Sequence, residues 1–257
     1  MKSTAPEPEI ELSVKSSRRE DKTRGLIGED KASDLEQAAD PALTEDLALA
    51  LLARTLSVEA IEELSKNRNL SSARKLRVSM VVHPRTPRRI SLKLLRQMHT
   101  FDLMRVALLP VMAGDLKRVA AELLVSRLAS ITLGERISLA RRAPETVAAA
   151  LLLDKEPRVV QAALENPRLT EAAVVKVLAR PGATTALVEA LCRQGKWSPR
   201  HEIRLALLRH PKTPLAHALV FAQAMPRALV RDILHGSQLS EKVKTCLRRE
   251  LDLKVQE

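Results

Sequence analysis

A proline-centred turn recurs along this chain at a nearly fixed step. Asp40-Pro41-Ala42-Leu43-Thr44, His83-Pro84-Arg85-Thr86, Asn166-Pro167-Arg168-Leu169-Thr170 and His210-Pro211-Lys212-Thr213 each stand between two short apolar stretches. The proline-to-proline steps are 43, 83 and 44 residues, and the double step holds a degenerate copy around Ser126-Arg127-Leu128. A unit of this length built from short helical segments cannot bury its apolar faces alone and must stack on its neighbours. The spacing therefore predicts an all-α chain. It is expected to be a right-handed type of α-solenoid with about five repeats of 40–44 residues.

The residues between the turns agree with that expectation. Ala, Leu, Arg, Lys and Glu dominate them, and these are good helix formers. None of the 14 prolines falls inside a periodic segment, and Gly114, Gly134, Gly182, Gly195 and Gly236 all lie at boundaries. The aromatic set is Phe101, Phe221 and Trp197, with no tyrosine, so the core has to be built from Leu, Ala and Val. Leu124, Leu164 and Leu207 occupy equivalent places and are expected in the spine between repeats. Each unit should carry a second and a third helix, as at Glu171 to Arg180 and Thr184 to Arg193. Residues 240–255 read as a terminal capping helix, with Leu239, Val243, Leu247 and Leu251 on one stripe and cations on the other side.

Residues 1–40 hold 7 basic and 10 acidic side chains and few large apolar ones. Such a segment does not bury enough surface to offset its ordering entropy, and it is expected to be a disordered tail before a repeat domain at 41–257. That domain holds 36 basic and 21 acidic residues, a net charge of +15 against −3 in the tail. A field of that sign attracts polyanions, acidic proteins or anionic surfaces. The competing reading is that the cations only keep an Ala/Leu-rich surface soluble. No apolar leader opens the chain, and the run Val147 to Leu153 is too short to span a bilayer, so the expected location is the cytoplasm. Cys192 and Cys246 are expected as free thiols.

The turn itself has a local explanation. Proline stops the preceding helix, and Thr44, Thr86, Thr170 or Thr213 is expected to cap the next one through its hydroxyl. Pro87 and Pro214 suit the first turn of the helix that follows. If such turns stack along one edge, Arg85, Arg88, Arg89, Arg127, Arg168 and Lys212 form a cationic ridge for a partner's anions. His83, His99, His201, His210, His217 and His235 show no metal-ligand spacing, and no metal or cofactor is expected. The chain has no phosphate loop, GxSxG or HExxH signature, so no enzymatic site is expected. Trp197 lies in a turn and reads as a packed wedge between repeats rather than a base-stacking platform.

From Pro41 to Val255 the chain resembles HEAT-like and leucine-rich-repeat-variant solenoids of bacteria. The resemblance rests on Val160 to Leu164 followed by Asn166-Pro167-Arg168-Leu169-Thr170, and on Leu205 to Leu208 followed by His210-Pro211-Lys212-Thr213-Pro214. It implies a HEAT/armadillo-like superhelix that acts as a protein-binding scaffold. The iron–sulfur segment found in some leucine-rich-repeat-variant proteins needs a cysteine cluster that this chain lacks. HEAT-like DNA glycosylases use aromatic and acidic residues around an extruded nucleotide, and the aromatic poverty here departs from that pattern. The expected function is thus a non-enzymatic scaffold or adaptor for a protein partner. The alternative is a repeat protein that binds DNA or RNA backbones without sequence preference.

Overall fold

The computed structural model describes residues 33–67, 69–70 and 72–251. Among the described residues there are sixteen short helices and no strand. In chain order they are α1 (33–39), α2 (Glu45–Leu52), α3 (Val58–Lys66), α4 (Arg74–Val82), α5 (Arg88–Gln97), α6 (Thr100–Leu108), α7 (Gly114–Arg127), α8 (Leu133–Arg142), α9 (Glu145–Leu151), α10 (Pro157–Leu164), α11 (Glu171–Leu178), α12 (Thr185–Arg193), α13 (His201–Arg209), α14 (Leu215–Gln223), α15 (Arg227–Gly236) and α16 (Glu241–Glu250). The chain divides into two compact units, residues 1–102 and 103–257.

Within each unit most of the packing joins a helix to its second neighbour, with some pairs of adjacent helices in contact as well. In the first unit α2 packs on α4, and α4 on α5. In the second, α7 meets α9, α8 meets α10, α9 meets α11, α10 meets α12, α11 meets α13, α13 meets α15 and α14 meets α16. This is a solenoid-like succession. Its packing step is two helices: α8, α10 and α12 begin at Leu133, Pro157 and Thr185, 24 and 28 residues apart. The proline turns of the sequence recur every third helix instead, so the 43-residue punctuation and the packing step are different periods. Any helix with one apolar stripe is covered once its second neighbour lies alongside. No three-helix unit is needed to close the core.

The core is aliphatic. Leu124, Leu164 and Leu207 are fully buried, as the sequence predicts, together with Val147, Leu152, Leu187, Leu191 and Ile203. Side-chain caps fix several helix starts. Thr44, Ser57, Thr132, Thr170, Thr184 and Ser240 each accept a backbone N–H from the first turn. Pro87, Pro144, Pro214 and Pro226 stand at the cap position itself, where the fixed proline φ prepares the first turn.

Two sequence expectations change here. Thr86 and Thr213 do not cap. The proline that follows each takes the cap position, and the hydroxyl turns back to donate to the carbonyl of Met80 or, at 2.6 Å, of Leu207. The second change concerns the tail expected over residues 1–40. Residues 33–39 are helical, with Ala38 fully buried and Asp34 paired with Arg54 at 3.6 Å. Residues 1–32 lie outside the described residues. So does the end of the expected 240–255 cap, whose described part is α16 with Leu247 fully buried.

Candidate anion-binding edges

The residue before each proline closes its own turn. Asp40 and Asn166 accept the N–H two residues on, at Ala42 and Arg168, both at 2.8 Å. His83 and His210 do the same through Nδ1, accepting from Arg85 at 3.3 Å and Lys212 at 3.2 Å. Histidine thus replaces the Asx side chain in two of the four turns. The acceptor role requires Nδ1 to carry no proton.

That closure aims the next cation across the stack. Arg85 Nη1 donates to the Leu56 carbonyl at 3.3 Å, Arg168 Nη1 to Arg142 at 3.3 Å, and Lys212 Nζ to Ala183 at 2.7 Å. Leu56 and Ala183 lie in the turn two helices earlier, and Arg142 is the last residue before such a turn. Arg89 is ion-paired with Glu62. Arg88 is exposed and Arg127 half-buried, and both have partners within the protein. The six residues singled out from the sequence are therefore engaged internally, and three of them tie turn to turn.

The second unit has two such ladders. One joins the α8/α9, α10/α11 and α12/α13 turns. Asn166 Nδ2 donates to Ala140 and Ala143 at 2.8 and 3.1 Å, and Lys196 Nζ donates to Asn166 at 3.0 Å. Trp197 Nε1 donates to Leu164 at 2.9 Å. Trp197 is fully buried, with the Lys196 ammonium 4.6 Å and the Arg200 guanidinium 4.9 Å from its ring, so it is the wedge its position predicts. Burial, and then the charge of Arg200, push the Lys196 ammonium below its ordinary range. The other ladder joins the α11/α12, α13/α14 and α15/α16 turns through Lys212 to Ala183 and the Gln238 N–H to Arg209 at 3.1 Å. Arg168 belongs to the first ladder and Lys212 to the second. A step of three helices moves a proline turn from one ladder to the other, so the turns do not stack into one ridge.

Two grooves accompany these ladders. Along α8, α10 and α12 runs a cavity of about 810 Å³ with mixed charge, lined by Arg141, Arg158 and Arg193 together with Glu165 and Glu189. Glu189 holds Arg193 at 2.5 Å. On the second ladder lies a cavity of about 630 Å³ whose lining holds Arg180, Arg209, Lys212 and His210 and no carboxylate. Its walls include Val175, Leu178, Ala206 and Pro211. Arg180 and Arg209 are exposed and make no ion pair among the described residues. The sequence reading passed over both. Arg180-Pro181-Gly182-Ala183-Thr184 is a further copy of the turn, with Thr184 as its cap and Ala183 buried where Leu169 is in the aligned copy. That pattern was the available signal.

Cys192 and Cys246 are free, and burial raises the Cys192 thiol to about 11, so it is an inert core group rather than a nucleophile. Among the described residues no cluster of His, Cys, Asp and Glu could hold a metal ion. No described helix is long and apolar enough to cross a membrane. Compared with known proteins, the chain matches no family model, no curated protein and no solved structure.

Proposed function

We propose that the protein is a non-enzymatic helical-repeat scaffold, a HEAT-like α-solenoid with about five sequence repeats of 40–44 residues. Its basic surface holds an acidic macromolecular partner, a protein. The observation that supports this reading is a set of exposed arginines without a carboxylate partner: Arg141, Arg158, Arg180 and Arg209 make no ion pair among the described residues. A cation neutralised by a carboxylate of the fold has little left for a partner, whereas an uncompensated one keeps its field for solution. Cations at helix C-termini also offset the helix dipole. That role accounts for the place of Arg141, Arg180 and Arg209, though not for Arg158 in the first turn of α10 nor for the absence of carboxylates around Arg180 and Arg209.

A polynucleotide backbone is the alternative ligand. Trp197 is fully buried and Phe221 nearly so, and the exposed Phe101 stands by itself, so no series of aromatic platforms is offered to successive bases. Binding of that kind would be directed to duplex phosphates. The test is a pull-down from cell extract on the immobilised protein, with and without nuclease, eluted by rising salt. Acidic proteins should stay bound after nuclease and leave as salt screens the contacts. Loss of all retention on nuclease treatment would transfer the surface to nucleic acid. Retention that salt does not touch would return the charge to a role in solubility.

A further inference from the structure

We propose that the groove walled by the C-terminal ends of α11, α13 and α15 is the docking site for an extended acidic segment of that partner. The segment's carboxylates meet Arg180, Arg209 and Lys212, and its intervening apolar side chains meet Leu178, Ala206 and Pro211. The inference rests on the basic-surface reading above and gives it a place and a ligand chemistry.

Charge complementarity carries the assignment. The groove's lining has three cations and no carboxylate, whereas the larger groove on α8, α10 and α12 has its own glutamates. Lys212 Nζ gives one proton to Ala183 at 2.7 Å and keeps two for a ligand. The two guanidinium groups have fixed forks that match carboxylates in pairs. The apolar walls distinguish the ligand further. A bare phosphate gains nothing from Val175, Leu178 and Pro211, which line the same space. Phosphate cradles are also built on helix N-termini, whose N–H groups point at the anion. Here helix C-termini converge, and their carbonyls already take donors within the fold, Leu207 from Thr213 and Arg209 from Gln238. An extended peptide brings carboxylates for the cations and apolar side chains for these walls.

Gly236 lines this groove, and a side chain added there meets open space. That permits a variant which fills the groove and leaves every charge in place. The experiment uses the full chain and a fluorescent, end-blocked hexapeptide alternating glutamate with leucine, and a control with glutamine for glutamate. Wild type should bind the glutamate peptide, more weakly as salt rises, and not the control. Arg180→Gln with Arg209→Gln should weaken binding about tenfold or more. Gly236→Phe should weaken it too, while Arg141→Gln with Arg158→Gln should change it by less than about twofold. Circular dichroism and thermal melts confirm that each variant is folded. Equal losses in the two double variants, with Gly236→Phe unaffected, would overturn the groove assignment but leave the basic-surface reading standing. Wild type that binds no glutamate peptide at low salt would overturn both. Duplex DNA that displaces the peptide and is itself lost in Arg180→Gln with Arg209→Gln would reassign the groove to phosphates.

Discussion

His210 shows how a single residue type sets local chemistry. Its Nδ1 accepts the Lys212 N–H at 3.2 Å, and the side chain is buried. Burial, and after it the positive charge of Lys212, push the imidazole below the ordinary histidine range. The folded protein therefore takes up this proton at lower pH than the unfolded chain does. The turn's contribution is complete above the unfolded value of about 6.5, and it is lost as the pH falls through the lowered folded value. The aligned turn uses Asn166, whose Oδ1 makes the same bond without titrating in this range. His210→Asn should therefore lose less stability than wild type between about pH 7.5 and about pH 5, measured by urea denaturation. Equal losses would show that His210 does not carry the acid sensitivity. The position of His210 at the turn is legible in the sequence. Its burial is not, because that depends on the turn packed against it.

At the scale of the element, one threonine in a repeated motif has two opposite jobs. Thr170 and Thr184 accept a helix's N–H. Thr213 donates to the Leu207 carbonyl at 2.6 Å and is buried. The difference follows from one sequence step. In Asn166-Pro167-Arg168-Leu169-Thr170 a buried leucine precedes the threonine, whereas in His210-Pro211-Lys212-Thr213-Pro214 the threonine fills that inner place and proline takes the cap. An aspartate tells them apart, because it accepts but does not donate when ionised. Thr184→Asp should stay within about 0.5 kcal/mol of wild type, since aspartate is an equally good cap. Thr213→Asp should cost about 2 kcal/mol or more, because it buries a charge and sets it beside the Leu207 carbonyl oxygen. Chemical denaturation of the two variants measures both. Near-equal stabilities would mean that Thr213 does not bridge to the preceding helix.

For the whole molecule, the decisive distinction is between cations that hold the stack and cations that the fold does not need. Arg168 and Lys212 reach backbone carbonyls 26 and 29 residues earlier, so each fastens one turn to another. The side chains of Arg180 and Arg209 fasten nothing among the described residues. Surface charge changes usually move stability by about 0.5 kcal/mol or less. That range should hold for Arg180→Gln with Arg209→Gln. Arg168→Glu with Lys212→Glu should melt several degrees lower, because two inter-turn bonds are lost and acidic groups are set beside carbonyl oxygens. Matching melting temperatures for the two pairs would mean that the turn-to-turn bonds contribute nothing to the fold.

The sequence by itself determined the helical class, the places where helices stop, the aliphatic spine with Leu124, Leu164 and Leu207, and the burial of Trp197. These follow from local causes: proline geometry, apolar spacing, and the need of a large ring to be covered. The tertiary structure decided which turn neighbours which. The proline punctuation returns every third helix, while packing returns every second, and only the second period sets what a side chain can reach. For that reason Arg168 and Lys212, alike in sequence, belong to different ladders, and Arg180 and Arg209, which no repeat alignment singled out, share a carboxylate-free groove with Lys212.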